Sequence, residues 1–195
     1  KALDAGIMAS QHEYLLFTDA GCRVDKQWVQ SIMEQYNDEV NYVIGLSFVS
    51  NAKKIVTRFQ KIDLFMLMIS TLSSIKLNYP LASTGQNLSY KKDIFISMNG
   101  FSKISNLIMG DDSIFMQLCI KYKFISIDIS EKPESFVSSK KILQWKDLLL
   151  QRIRWAGDGI IMWKYNKLFY FIMLFTFFTN FFYIIILFDF SVSIF

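Results

Sequence analysis

The chain has 195 residues, 52% of them hydrophobic and 19% charged, with a formal net charge of +4. That is room for one domain with a proper core, while 19 Phe against 2 Pro exclude a disordered or low-complexity chain. Cys22 and Cys119 are too isolated for a disulfide scaffold or a cysteine-based zinc site, and the basic residues form no nucleic-acid readout motif.

Residues 14–18 (YLLFT) make a short apolar run ending at Asp19, Ala20 and Gly21, which predicts a strand followed by a turn. Asp25 is placed to cap a helix over 25–36, with Trp28, Val29, Ile32 and Met33 on one face. Residues 41–49 read as a second strand. The segment 53–76 predicts a long helix whose middle (IDLFMLMIS) is apolar almost all round, so it is either buried or set against lipid. An extended segment at 85–90 precedes a short helix from Asp93. A helix over 111–122 then leads into a strand at 124–129. Strands alternating with helices predict an α/β domain with a largely parallel sheet.

A further helix-period segment covers 141–163. Ile142, Trp145, Leu148, Leu149 and Ile153 give it an apolar side, and Lys140, Lys141, Lys146, Arg152 and Arg154 make it basic. That pattern suits a helix lying on an anionic leaflet; packing of the same stripe into a soluble core is the other reading. All 21 Lys and Arg lie at or before Lys167. No residue from 168 to 188 is charged, and a helix of that length reaches about 32 Å against a bilayer core of about 30 Å. Trp163, Lys164, Tyr165 and Lys167 form a basic, aromatic flank, and the positive-inside rule assigns 1–167 to the cytoplasm. A buried core helix is the alternative, but a domain of this size has little body with which to cover aromatics on every face. The expected organisation is a body at 1–139, an interfacial helix at 140–167 and a transmembrane segment at 168–195, in a cell membrane.

Three groups of residues are candidates for chemistry. Asp19, just past the end of a strand, sits where ligands bind in open α/β sheets, and could hold a divalent cation against a diphosphate. Capping its own turn is the commoner use of an isolated Asp-x-Gly. Asp111 and Asp112 follow Gly110 at a helix start. The helix macrodipole favours acidic residues there without any function, yet adjacent carboxylates point in different directions, so one can face a cleft as a general base. Gln151, Arg154 and Trp155 share a helical face, where they could brace a diphosphate and stack on a sugar ring; snorkelling on an amphipathic helix would need no ligand. His12 reads as a solvated loop residue and Cys22 as structural.

The order of these motifs is more specific than any one of them. Phe17-Thr18-Asp19-Ala20-Gly21, then Gly85-Gln86-Asn87-Leu88-Ser89-Tyr90, then Gly110-Asp111-Asp112, then Gln151-x-x-Arg154-Trp155, then an apolar span, resembles the membrane-bound family-two glycosyltransferases. These include cellulose-, chitin- and hyaluronan-synthase-like enzymes and the ceramide glucosyltransferases. The resemblance implies an α/β GT-A (Rossmann-like) catalytic domain on the cytoplasmic face and inverting transfer from a nucleotide sugar, expected to be a UDP-sugar, to a polysaccharide or lipid-linked acceptor. It implies a divalent cation (Mg or Mn) at Asp19, the first aspartate of a DxD-type motif. Asp112 would be the base and Asp111 its acidic neighbour. Gly85 and Asn87 would form a loop beside the donor, and Gln151, Arg154 and Trp155 a QxxRW series closing over donor and acceptor. The bilayer is an implied partner, and nucleic acid is not.

Two departures stand out. Gly21 occupies the place of the second DxD aspartate, which leaves the cation one carboxylate or another ligand. The family's leading strands, with the aspartate that contacts the nucleobase, are expected ahead of Ala2. The sequence therefore looks like an N-terminally truncated fragment, inactive and aggregation-prone by itself because its sheet edge would be unpaired. A non-catalytic, membrane-anchored interaction module derived from a transferase is the competing expectation. Intact Asp112, Gln151, Arg154 and Trp155 argue against it.

Overall fold

The structure, a computed structural model, describes residues 2–107, 110–122 and 125–192, apart from the side chains of 158, 177, 180, 181 and 183–192. The chain divides into two compact units, Lys1–Arg152 and Ile153–Phe195.

The first unit opens with helix α1 (Ala2–Ala9), strand β1 (Tyr14–Phe17) and a short helix α2 (Trp28–Met33). Strands β2 (Tyr42–Gly45) and β3 (Ser47–Phe48) precede the long helix α3 (Ile55–Lys76). Strand β4 (Leu88–Lys91), helices α4 (Lys92–Ser97) and α5 (Ser113–Tyr122), and strands β5 (Ile127–Ser130) and β6 (Val137–Ser138) follow. Helix α6 (Trp145–Met162) begins in this unit.

The main sheet has the order β1-β4-β2-β5, and β3 and β6 form a separate parallel pair. The α/β reading holds, but the expectation of a largely parallel sheet is corrected. β4 is antiparallel to both β1 and β2, and among the described strands of this sheet only β2 and β5 pair in parallel. Strand direction is invisible in an apolar alternation, because it depends on the edge from which the chain re-enters the sheet. The single strand expected over 41–49 is likewise two. Its break falls at Leu46, whose carbonyl accepts a hydrogen bond from the Asn87 side chain at 2.8 Å.

The expected helix over 25–36 contracts to α2, since Asp25 is used one turn earlier. Its Oδ1 accepts the Gln27 amide at 2.9 Å and its carbonyl the Trp28 amide at 3.2 Å. The helix expected from 141 starts at Trp145. The preceding chain is held extended on α3, where Gln60 donates to the Lys140 carbonyl and accepts the Ile142 amide, both at 2.9 Å. Thr57 adds a bond to the Ile142 carbonyl at 2.8 Å. The strand expected over 124–129 is found as β5, and its first residue, Phe124, lies outside the described residues.

One side of the sheet is aromatic. Tyr90 on the central strand stacks on Phe17 at 4.8 Å and on Tyr42 at 5.5 Å, and meets Phe115 of α5 at 5.4 Å. Cross-strand ring pairs of this kind stabilise a sheet beyond the area they bury. A second cluster, Trp28, Ile32, Val40, Val43 and Val137, packs α2 against β2 and β6.

The second unit holds the end of α6 and helix α7 (Lys167–Val192), which Asn166 caps by accepting the Phe169 amide at 3.0 Å. Trp163 packs its ring edge-on against Tyr170 at 5.1 Å and Phe171 at 5.6 Å. Among the described residues no helix is long and apolar enough to cross a membrane. The transmembrane helix expected over 168–188 falls on α7, where the side chains from 183 onward lie outside the described residues.

Candidate active site

The reversed direction of β4 creates the site. Antiparallel pairing sets Leu88 opposite Phe17, so the loop ahead of β4 arrives at the carboxyl edge of β1, beside Asp19. There Leu3, Phe17, Thr18, Asp19, Gly85, Leu88, Tyr90 and Asp111 line a cavity of about 120 Å³. That is room for part of a ligand rather than a whole nucleotide-sized molecule. Of the residues singled out in the sequence, Asp19, Gly85 and Asp111 meet on this one cavity although they belong to three separate segments. Leu3, Phe17, Leu88 and Tyr90 were not anticipated as its walls. The alternation of Phe17, Leu88 and Tyr90 on β1 and β4 reads only as core, and Leu3 as one apolar residue of α1.

Asp112 is turned from its neighbour. Its Oδ2 accepts the Gly85 amide at 3.2 Å. One residue on, the Ser113 hydroxyl accepts the Ser83 amide at 3.0 Å and donates to the Ser83 carbonyl at 2.7 Å. A turn further, Gln117 donates to the carbonyls of Pro80 at 2.9 Å and Leu81 at 3.1 Å. The first two turns of α5 thus hold the 80–85 loop, Ser113 and Gln117 lying four apart on one helical face. Gly110 makes the entry possible. Its φ of +116° is open to glycine and costly for other residues, and an added Cβ would stand 2.8 Å from Ile114.

Asn87 lies beneath the loop. It is fully buried, accepts the Trp28 indole N–H at 3.0 Å and donates to the carbonyls of Leu46 and Ser135, each at 2.8 Å. An amide buried with three partners is held firmly, because each partner would be stranded without it.

Asp19 is exposed at the turn, and its carbonyl accepts the Cys22 amide at 2.9 Å. Burial chiefly, and then the Asp19 charge, push the Cys22 thiol up. Gly21 rests on the stem of Lys140, where a Cβ would come within 3.1 Å. Burial, then Cys119 and Asp111, push the Tyr90 phenol far above its ordinary value, so it stays a hydroxyl. Burial takes the Cys119 thiol to about 12. His12 is exposed.

No group of three His, Cys, Asp or Glu gathers among the described residues. Asp19 and Asp111 nevertheless share the cavity wall, which fits magnesium-type binding through one or two carboxylates with substrate phosphates completing the shell. It does not fit an all-protein cage.

Gln151 belongs to the first unit, Arg154 and Trp155 to the second. Arg154 is exposed and Trp155 half-buried. The residue between, Arg152, donates to Gln151 Oε1 at 3.3 Å and forms an ion pair with Asp63 of α3. Burial draws its guanidinium down, opposed by Asp63.

The family model described as Glycosyl transferase family 21 matches residues 2–192. No curated protein matches the chain.

Proposed function

The chain belongs to glycosyl transferase family 21, and from that premise we propose that it moves a sugar from a UDP-sugar to a lipid-linked or polysaccharide hydroxyl, with inversion, at the cytoplasmic face of a cell membrane. The convergence of Asp19, Gly85 and Asp111 on one cavity, with Asp112 tied to Gly85, carries this reading.

Asp112 acts as the base. It takes the proton from the acceptor hydroxyl while that oxygen attacks the anomeric carbon opposite the departing diphosphate. The Gly85 amide holds the Asp112 carboxylate in one orientation, and Asp111, next to it in sequence, stands on the cavity wall. A cation (Mg or Mn) shared by Asp19 and Asp111 supplies, when bound, charge compensation for the leaving diphosphate. Gly85 lets the ligand approach the backbone, and Asn87 keeps that loop in place from below. Gln151, Arg154 and Trp155 offer an amide, a guanidinium and an indole to the diphosphate and sugar ring. The family 21 match favours a lipid-linked acceptor. The absence of charge over 168–188, after a basic and aromatic flank, supports the bilayer as partner.

The test is transfer itself. The full-length protein, expressed in membranes, is offered labelled nucleotide sugars with Mg or Mn, and the label is followed into lipid extract or polymer. Transfer from one donor supports the reading; none from any donor, with folded protein present, overturns it.

A further inference from the structure

We propose that α3 is a second lipid-contacting element, docking the first unit flat on an anionic leaflet through its outward stripe. This goes beyond glycosyl transfer and stands on residues of the first unit alone.

Helix α3 has two opposed faces. Val56, Gln60, Leu64, Met68 and Ile75 are buried against the body. Opposite them, Ile55, Phe59, Ile62, Met66 and Ile69 recur at spacings of four and three, one line along a helix. They are exposed: Ile55 by 74%, Phe59 by 52%, Ile62 by 64% and Met66 by 57%. The stripe runs about 21 Å. It continues sideways, since Phe59 meets the ring of Trp145 at 5.7 Å and Leu149 and Leu150 are exposed on the same stretch of α6. A continuous apolar surface of this size marks an interaction site.

The charges beside it identify the partner. Lys53, Lys54, Arg58 and Lys61 are exposed at the amino-terminal half of the stripe. Lys140, Lys141 and Lys146 are exposed in the segment that Gln60 and Thr57 bind to α3 and just beyond it. Asp63, the acidic residue within α3, is half-buried and spent on Arg152; Asp147 is exposed on α6, and Glu131 is paired with Lys76 at the far end of α3, away from the basic half of the stripe. An apolar line bordered by basic residues is the surface that an anionic leaflet attracts, the apolar side entering the headgroup boundary and the cations meeting lipid phosphates.

The experiment uses the whole chain with Cys22→Ser and Cys119→Ala, carrying one nitroxide at a time at cysteines introduced from 55 to 70. It is reconstituted in phosphatidylcholine vesicles with and without phosphatidylglycerol. Labels at Phe59→Cys, Ile62→Cys and Met66→Cys are expected to favour oxygen over a water-soluble nickel chelate, with helical period, and a control at Lys26→Cys to do the reverse. Arg58→Gln with Lys61→Gln should shift docking roughly 30-fold towards water, as should omission of phosphatidylglycerol. Nickel accessibility at 62 and 66 equal to the control overturns the proposal. So does inaccessibility to both reagents, which would mean a covering protein copy, and so does an unchanged profile in the charge variant. Each of these readings is independent of sugar transfer.

Discussion

Asp112 Oδ2 accepts the Gly85 amide at 3.2 Å, which ties the start of α5 to the loop that leads β4 into the sheet. Asp111, its neighbour in sequence, lines the cavity instead. Two adjacent carboxylates have therefore been given separate tasks by the turn at Gly110.

Those tasks are separable by substitution. Asp112→Asn is expected to lower transfer by about 10²–10⁴-fold, the usual worth of a general base, with donor affinity nearly unchanged because the amide oxygen still accepts from Gly85. Asp111→Asn is expected mainly to raise the cation concentration needed. Turnover kept in Asp112→Asn and lost in Asp111→Asn would transfer the base to Asp111.

Cys22 reports on Asp19 without any turnover. Because the Asp19 charge is one of the causes holding the thiol up, Asp19→Asn should move the midpoint of Cys22 alkylation to lower pH. Burial, the larger cause, remains, so the midpoint should stay above that of a free thiol. A cation at Asp19 acts with the same sign, and Mn or Mg should speed alkylation at constant pH in the parent and not in Asp19→Asn. Cys119, with its thiol at about 12, is silent in this assay. Equal rates with and without cation would remove Asp19 as the cation site.

Gly45 and Asn87 should show strong coupling. A Cβ on Gly45 would stand 2.2 Å from Asn87 Nδ2, and Asn87→Ala strands the Trp28 indole and two carbonyls. Each single change is expected to cost about 2–4 kcal/mol in denaturant unfolding. Gly45→Ala with Asn87→Ala should cost well below the sum, since the smaller side chain removes the clash. Simple additivity would refute this account of the loop.

Arg152 and Asp63 form a partly buried pair, with side chains 25% and 33% exposed. Arg152→Gln leaves Asp63 half-buried without its cation and should destabilise the first unit by about 2 kcal/mol, between the surface and buried limits. Adding Asp63→Asn should recover part of that loss, as read from unfolding midpoints.

Much of the site was legible because its signals are local. A strand that ends in Asp19, a glycine followed by two acids at a helix start, and Gly85 ahead of a strand are each written within a few residues. Their order suggested the glycosyltransferase that the family 21 match shows. The long helix at 53–76 was equally plain, since it is a long run that no glycine or proline interrupts, and α3 starts only two residues later.

What stayed hidden depends on partners far apart in the chain. Nothing within β4 says that it runs opposite to β1 and β2, yet that reversal delivers Gly85 to Asp19. Nothing around Asn87 says that its amide is buried against Trp28, Leu46 and Ser135, or that Gly45 must lack a side chain to admit it. Arg152 read as one more cation of a basic helix until folding set Asp63 against it. Propensity, charge and period act over a turn of helix or a few residues of strand, so local elements and candidate chemistry follow from residue order. Strand direction, burial of an amide and the choice of an ion's partner are settled only when the whole unit closes and every buried polar group must find a mate.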